Sequence, residues 1–339
     1  MSSVLFVALA ALLVLLPVPY VAWRPGQTID VLAANDGKPI IEVSGTPTFG
    51  TTGKLLMTTV STTRVDASMS LPEAVFVHLS KDSDALPREV IYPPGKSSDQ
   101  VRSEAVAMMD TSRSNATVAA LRAAGVAVTE MPRIDSVVLS GASAGKLQPG
   151  DLVVSVDGNA VATPDEVGAQ VIKHSVGDEV NFTVLRDEKE TSVKVVAGAS
   201  STDSRRPVVG ITLGTGYRFS PKVSFGVDPS VTGPSAGLVF ALGIYDRITD
   251  GELFEDRTVA GTGTIDPTGR VGGIGGIREK VAGAERDGAS MFLVPASSCS
   301  NLEGYETSVQ LIRVSTLNDA IAALQMINEG NVSEVPTCG

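Results

Sequence analysis

Thr232-Gly-Pro-Ser-Ala-Gly237 runs into a wholly apolar stretch, and Ile274-Gly-Gly-Ile-Arg-Glu-Lys280 follows it later in the chain. Ser235 and Lys280 are the residues of these segments that can perform nucleophilic chemistry. A serine hydroxyl is a poor nucleophile until a base takes its proton, and a lysine held neutral can be that base. Apolar residues follow Lys280, and burial among such residues lowers a lysine pKa from about 10.4. The two segments therefore predict a Ser–Lys site.

Two other interpretations of these segments are simpler. The first segment also fits G-x-S-x-G, the nucleophile elbow of α/β-hydrolases. That mechanism needs a histidine after the serine in the sequence. The last histidine of the chain, His174, precedes Ser235, so this interpretation fails. Ser235 could instead be a polar residue at a helix N-terminus, and Lys280 an ordinary surface lysine. The Ser–Lys interpretation is favoured because both segments occur together and in order.

With Thr262-Gly-Thr-Ile265 and Gly269-Arg-Val271, these segments resemble the proteolytic domain of Lon-type Ser–Lys peptidases over about residues 208–295. The resemblance implies that Ser235 is the nucleophile and Lys280 its base. It also implies that Thr262 hydrogen-bonds the lysine, with Gly233, Pro234 and Ala236 supporting the serine. The family often has an acidic residue three places before the serine, where this chain has Thr232.

Residues 126–199 have a different pattern. Gln148-Pro-Gly-Asp151 is a turn that leads into an alternating strand, and the strand ends at the hairpin signal Asp157-Gly158. A helix over Pro164–Lys173 and two further strands are predicted after it. The segment resembles a permuted bacterial PDZ domain, and such domains take an extended peptide along an open sheet edge. The residues expected to border that groove, each of which could instead be core, are Leu139, Val167, Val171 and Ile172.

The N-terminal residues 1–23 contain no charged side chain. Val4–Trp23 is apolar throughout and, as a helix, would be long enough to span a bilayer. Val4–Leu16 alone would match the core of a signal peptide, but Tyr20 is too large for a cleavage site ending at Ala22. We therefore predict an uncleaved single-pass anchor, with the catalytic part outside the cytoplasm.

Composition excludes several classes of function. A net charge of −11 would repel a phosphate backbone, so nucleic-acid binding is not expected. Neither the two histidines, His78 and His174, nor the two cysteines have metal-ligand spacing, and no ATP-binding motif is present, so no metal or cofactor is expected. Cys299 and Cys338 are either isolated thiols or, in an exported domain, a disulfide.

We thus predict an α/β (α+β) proteolytic domain at 200–339, a mainly-β PDZ domain at 126–199, an N-terminal α/β region at 28–125, and an anchor at 1–27. Within 28–125 one helix is expected to begin near Ser97 and a second to run from Asn115 to Ala124. The predicted function is ATP-independent, membrane-tethered serine endopeptidase activity on protein or peptide substrates; the resemblance also implies a homo-oligomer. The alternative is a membrane-anchored PDZ adaptor with a degenerate protease-like scaffold.

Overall fold

The computed structural model describes residues 16–35 and 37–338, which form two compact units. One unit combines the chain up to Val126 with the chain from Pro221 onward, and the other is Ala127–Ser220. The first unit contains Ser235 and Lys280 and is called the catalytic unit, after the site predicted in it. The PDZ-like segment is inserted between its two parts in the sequence. The catalytic unit resumes at Pro221, whereas the proteolytic domain is predicted from residue 200, and the region 28–125 supplies strands to the sheet of the same unit.

Thirteen strands have four or more residues, among those described: β1 (Tyr20–Asp30), β2 (Ile41–Ser44), β3 (Lys54–Thr62), β4 (Asp84–Pro87), β5 (Thr129–Val137), β6 (Leu152–Val156), β7 (Glu179–Arg186), β8 (Lys189–Val196), β9 (Ile211–Arg218), β10 (Lys222–Phe225), β11 (Thr258–Gly261), β12 (Met291–Pro295) and β13 (Gln310–Val314). The α-helices are α1 (Leu71–Leu79), α2 (Arg88–Ile91), α3 (Ser98–Ala123), α4 (Pro164–Val171), α5 (Gly237–Ile248), α6 (Ile277–Arg286) and α7 (Leu317–Asn328).

The catalytic unit is built on a six-stranded sheet of order β13-β12-β11-β3-β1-β4. The first four strands are parallel, and β1 runs antiparallel to both of its neighbours. Successive side chains of a strand point to opposite faces. Leu55 and Met57 accordingly join the core shared with α3, α5 and α7, whereas Leu56 joins the core shared with α6. Covering a mostly parallel sheet on both faces buries its apolar strands completely.

The predicted membrane span does not extend to Trp23. Pro17–Val18 pairs with Met69–Ser70, and Tyr20–Trp23 opens β1, with Val21 and Ala22 buried in the catalytic unit. The prediction failed at this end because a buried strand and the end of a membrane span are both uninterrupted apolar runs. Residues 4–15 of the span lie outside the described part of the chain. Within residues 16–35 and 37–338, no helix combines the length and hydropathy needed to cross a bilayer.

Helix α3 is one helix, so the prediction of two helices, the second beginning at Asn115, is wrong. Its predicted start is correct, because Ser97 and Gln100 form a reciprocal capping box. Its predicted stop before Gly125 is also correct, since Gly125 has a φ of +72°. Two polar residues near the predicted break continue the helix and donate hydrogen bonds to other segments, Ser112 to the Pro234 carbonyl and Asn115 to the Ile265 carbonyl.

The inserted unit has a sheet of order β8-β7-β6-β5-β9, with α4 packed beside it. Asp157 and Gly158 both have positive φ in a two-residue hairpin, as the sequence predicted. This compact unit continues to Ser220, beyond the predicted domain end at residue 199, because β9 pairs with β5 along its whole length. β9 is an edge strand of this sheet and lies next to α4.

A disulfide joins Cys299 to Cys338 in the catalytic unit. Cys299 lies in the 3₁₀ segment Ala296–Leu302 after β12, and the Cys338 N–H donates to Leu311 on β13. The bond closes a loop of 39 residues. In the chain-entropy model such a cross-link stabilises the fold by about 4 kcal/mol.

We therefore expect reduction to lower the thermal unfolding temperature of the chain markedly. The measurement is calorimetry with and without reductant, and the control is the Cys299→Ser/Cys338→Ser double variant, which should unfold at the lower temperature under both conditions. Free thiols in the native, unreduced protein would contradict the pairing.

Candidate active site

Ser235 lies in the turn that enters α5, two residues before its first residue, Gly237. Gly233 has a φ of +95°, which a residue with a side chain adopts only with strain. A Cβ at Gly237 would lie 2.8 Å from the Ile265 side chain and 2.9 Å from Ser112 Oγ. The glycines therefore let the serine turn pack closely on α3 and on the 264–265 strand, which fixes the backbone position of Ser235.

Lys280 lies in the first turn of α6, which begins at Ile277 after Gly276 in the left-handed conformation. The preceding glycines allow close packing, because a Cβ at Gly275 would come within 2.7 Å of the Trp23 ring. Lys280 is only 3% exposed, and its Nζ lies 2.7 Å from Ser235 Oγ. The structure thus brings the two predicted residues into hydrogen-bond contact across 45 residues of sequence.

Thr262, which follows β11, connects the two residues. Its side chain is fully buried, its Oγ1 accepts from Lys280 Nζ at 3.0 Å, and it donates to the Ser235 carbonyl at 3.0 Å. The Gly263 N–H donates to the same carbonyl at 2.8 Å. Because the threonine hydrogen is committed to that carbonyl, its oxygen is left to accept an N–H from the lysine. This orients the amine toward the serine.

Burial lowers the pKa of Lys280 to about 7, far below the usual range of a lysine. The neighbouring Glu279 carboxylate opposes this shift, since a negative charge favours the protonated amine. A large fraction of Lys280 is therefore neutral near pH 7. A neutral amine has a lone pair that can take the serine proton.

Glu279 is a residue of this site that sequence reasoning missed. It is 1% exposed, and burial, together with the nearby charge of Asp84 on β4, raises the pKa of its carboxyl to about 7. Its Oε1 has no hydrogen-bond partner within the described chain. No local signal marks Glu279, because a glutamate in the first turn of a helix is ordinarily an exposed residue favoured by the helix dipole.

A cleft of about 480 Å³ opens beside the serine turn. Pro234, Thr264 and Ile265 line one side, and α3 lines the other with residues that include Met108 and Ser112. α3 therefore forms a wall of this cleft as well as holding the turn. A sequence signal for this role existed: Met108, Ser112 and Asn115 recur at helical spacing on one face.

The predicted PDZ groove residues separate into two groups. Val167 and Val171 belong to the core of the inserted unit, at 1% and 6% exposure. Leu139 and Ile172 are exposed. Sequence reasoning missed β9, the edge strand beside α4, because this strand begins after residue 199, at which the domain was predicted to end.

Family models match two parts of the chain: "PDZ domain" over residues 107–196, and "Lon protease (S16) C-terminal proteolytic domain" over residues 223–326. The Lon protease of Rhizobium meliloti is 30% identical over 133 residues, covering 33% of this chain and 16% of that protein. The Lon protease of Campylobacter concisus is 27% identical over 168 residues, covering 45% of this chain and 20% of that protein.

Among solved structures, the PDZ domain of an SdrC-like protein from Listeria monocytogenes is 26% identical, covers 24% of this chain and 86% of that one, and has a TM-score of 0.23.

The chain spans a fifth or less of the length of the two Lon proteases compared above. The Lon match lies in the catalytic unit and contains Ser235, Thr262 and Lys280. The chain therefore carries the proteolytic domain of the Lon serine-type endopeptidases together with a PDZ domain.

Proposed function

We propose that the chain is an ATP-independent serine endopeptidase in which Ser235 is the nucleophile and Lys280 its general base. The observation that supports this most strongly is the 2.7 Å contact between Ser235 Oγ and the amine of a lysine that is only 3% exposed. Within the described residues no carboxylate is hydrogen-bonded to this amine, and such a buried amine is a poor structural cation, because desolvation disfavours its charge. The same environment suits a base that must be neutral near pH 7.

The proposed reaction is acyl transfer. Neutral Lys280 takes the hydroxyl proton as Ser235 attacks the substrate carbonyl, and the resulting ammonium then protonates the leaving amine. Water hydrolyses the acyl-enzyme with Lys280 again as the base. Helix α5 begins two residues after the serine, so the positive end of its dipole can stabilise the oxyanion. The cleft between Pro234 and α3 is the proposed seat of the peptide.

Thr262 is proposed as a positioning residue for the lysine amine. Thr262→Val removes one hydrogen bond to Lys280 and one to the Ser235 carbonyl, each worth about 1 kcal/mol, so we expect kcat to fall about tenfold or more. Thr262→Ser keeps both bonds and should restore the wild-type rate. If Thr262→Val unfolds at the wild-type temperature and retains full kcat, Thr262 does not position the lysine.

The PDZ domain is proposed to recruit extended peptide segments at the open edge of β9. Replacing residues 127–220 with a flexible linker should leave Ser235 reactive toward a small fluorophosphonate but slow the cleavage of a protein substrate, since remote binding positions a substrate without joining the chemistry. The measurement compares probe labelling with protein turnover in the same preparation. Unchanged protein turnover would contradict recruitment, and lost labelling in a folded variant would make the domain part of the catalytic scaffold.

The uncharged segment Val4–Leu16 is proposed to tether the chain to a membrane, with the catalytic unit on the extracytoplasmic side. The Cys299–Cys338 disulfide supports that side, because disulfides persist in oxidising compartments. Flotation of the full chain with phosphatidylcholine vesicles tests the tether. A chain that remains in the unfloated fraction would contradict it.

A further inference from the structure

Helix α1 has an apolar face that the described part of the chain leaves uncovered. Val75 is 49% exposed, Phe76 75% and Leu79 78%, and Leu71 and Pro72 are also exposed. At 100° per residue these five side chains occupy one continuous arc of about 140°. Contiguous apolar surface of this kind on a folded unit marks an interaction site.

The opposite side of α1 accounts for the rest of the helix. Ala74 and Val77 are buried in a small core with Ala22 and Met69, and Glu73 forms an ion pair with Arg24 at 2.8 Å. Ser70 caps the N-terminus by accepting from the Glu73 N–H. The helix is thus held to β1 by its own buried face. Its exposed apolar face is not needed for that packing.

The N-terminal segment joins the described chain at the start of this same helix. Pro17 pairs with Ser70, the residue directly before Leu71, so the backbones of the two segments lie about 5 Å apart. Leu16 is itself 50% exposed, and residues 4–16 are apolar and uncharged. Helix α1 is only about 13 Å long, so all of it lies close to the N-terminal segment. A surface that binds residues 4–16 therefore lies next to α1.

We propose that the apolar face of α1 docks into the headgroup boundary of a lipid bilayer beside the point where the chain leaves the membrane. The proposal rests on the tether part of the proposed function and goes beyond it by fixing which surface of the catalytic unit meets the lipid. An amphipathic helix lying in the interface buries its apolar face among acyl chains, which removes Phe76 and Leu79 from water. Tyr20 lies near the N-terminal end of the described chain and is 40% exposed. Its amphipathic ring favours the headgroup level of a bilayer.

The test uses tryptophan as a depth probe in the full chain. Phe76→Trp is conservative and places the reporter on the face, and Val332→Trp, at a position 43% exposed in the same unit, is the matched control. Trp23, the single native tryptophan, gives the background in both variants. Each variant is reconstituted into phosphatidylcholine vesicles with and without bromine on the acyl chains, because bromine quenches only indoles that reach the lipid.

We expect the additional emission of Phe76→Trp to be blue-shifted and largely lost in the brominated vesicles, and that of Val332→Trp to be unchanged. If the additional emission of Phe76→Trp is blue-shifted but unquenched, the proposal is overturned, since protein (a second copy of the chain or residues 1–15) then covers the face. Red-shifted, unquenched emission from the same variant would overturn it as well. Flotation and Ser235 labelling of the same samples report separately on the tether and on the protease, so failure of either is distinguishable from failure of the docking surface.

Discussion

Ser235→Ala and Lys280→Met are each expected to lower kcat/KM for peptide hydrolysis by more than about 10³-fold. The alanine removes the nucleophile, and the methionine fills the same volume as the lysine but has no basic nitrogen. Because the two groups act as a unit, the double variant should lose no more activity than the worse single variant. Turnover of a quenched-fluorescence peptide by the purified chain is the measurement.

The control for the lysine is Lys54→Met, which changes an exposed lysine at the start of β3 in the same sheet and should leave turnover unchanged. Unfolding temperatures of all variants establish that loss of activity is not loss of fold. Additive losses in the double variant would mean that Ser235 and Lys280 do not share one chemical step.

The second large effect concerns pH. Only neutral Lys280 can accept the serine proton, and its pKa is lowered to about 7, so kcat/KM should rise about tenfold per pH unit below 7 and level off above it. A lysine with an ordinary pKa would instead give activity that still rises beyond about pH 9. The profile is measured with a substrate for which chemistry limits the rate.

Glu279→Gln sharpens this test. Above its own pKa of about 7, the ionised Glu279 carboxylate raises the pKa of Lys280, so its removal should lower the Lys280 pKa and move the upper part of the rising limb, near pH 7, to lower pH. A purely structural role for Glu279 would change stability and leave the limb in place. A shift of the limb to higher pH would contradict the electrostatic assignment.

The contact between Ser235 and Lys280 could be predicted from the sequence because the segments that form it are locally encoded. The glycine-rich turn before α5 and the glycine pairs before α6 are short segments whose backbone needs are visible in the residues themselves. The apolar residues that follow Lys280 likewise indicate burial. For these reasons two segments 45 residues apart were sufficient to propose one contact.

The support for the site could not be predicted, because it depends on pairings between distant segments. Ser112 holds the Pro234 carbonyl across 122 residues of sequence, and the whole PDZ unit intervenes between them in the chain. The parallel pairing of β3 with β11 is not indicated by the sequence of either strand alone. Apolar periodicity also cannot distinguish a buried strand from the end of a membrane span, which is why Tyr20–Trp23 was assigned to the membrane.

The most direct test of the Ser235–Lys280 assignment is peptide mapping by mass spectrometry after the full chain is treated with a fluorophosphonate, which reacts only with an activated serine. We predict a single adduct on Ser235, greatly diminished in Lys280→Met and retained in Lys54→Met. An adduct on a different serine, or equal labelling of Ser235 in Lys280→Met, would contradict the claim that Lys280 activates Ser235.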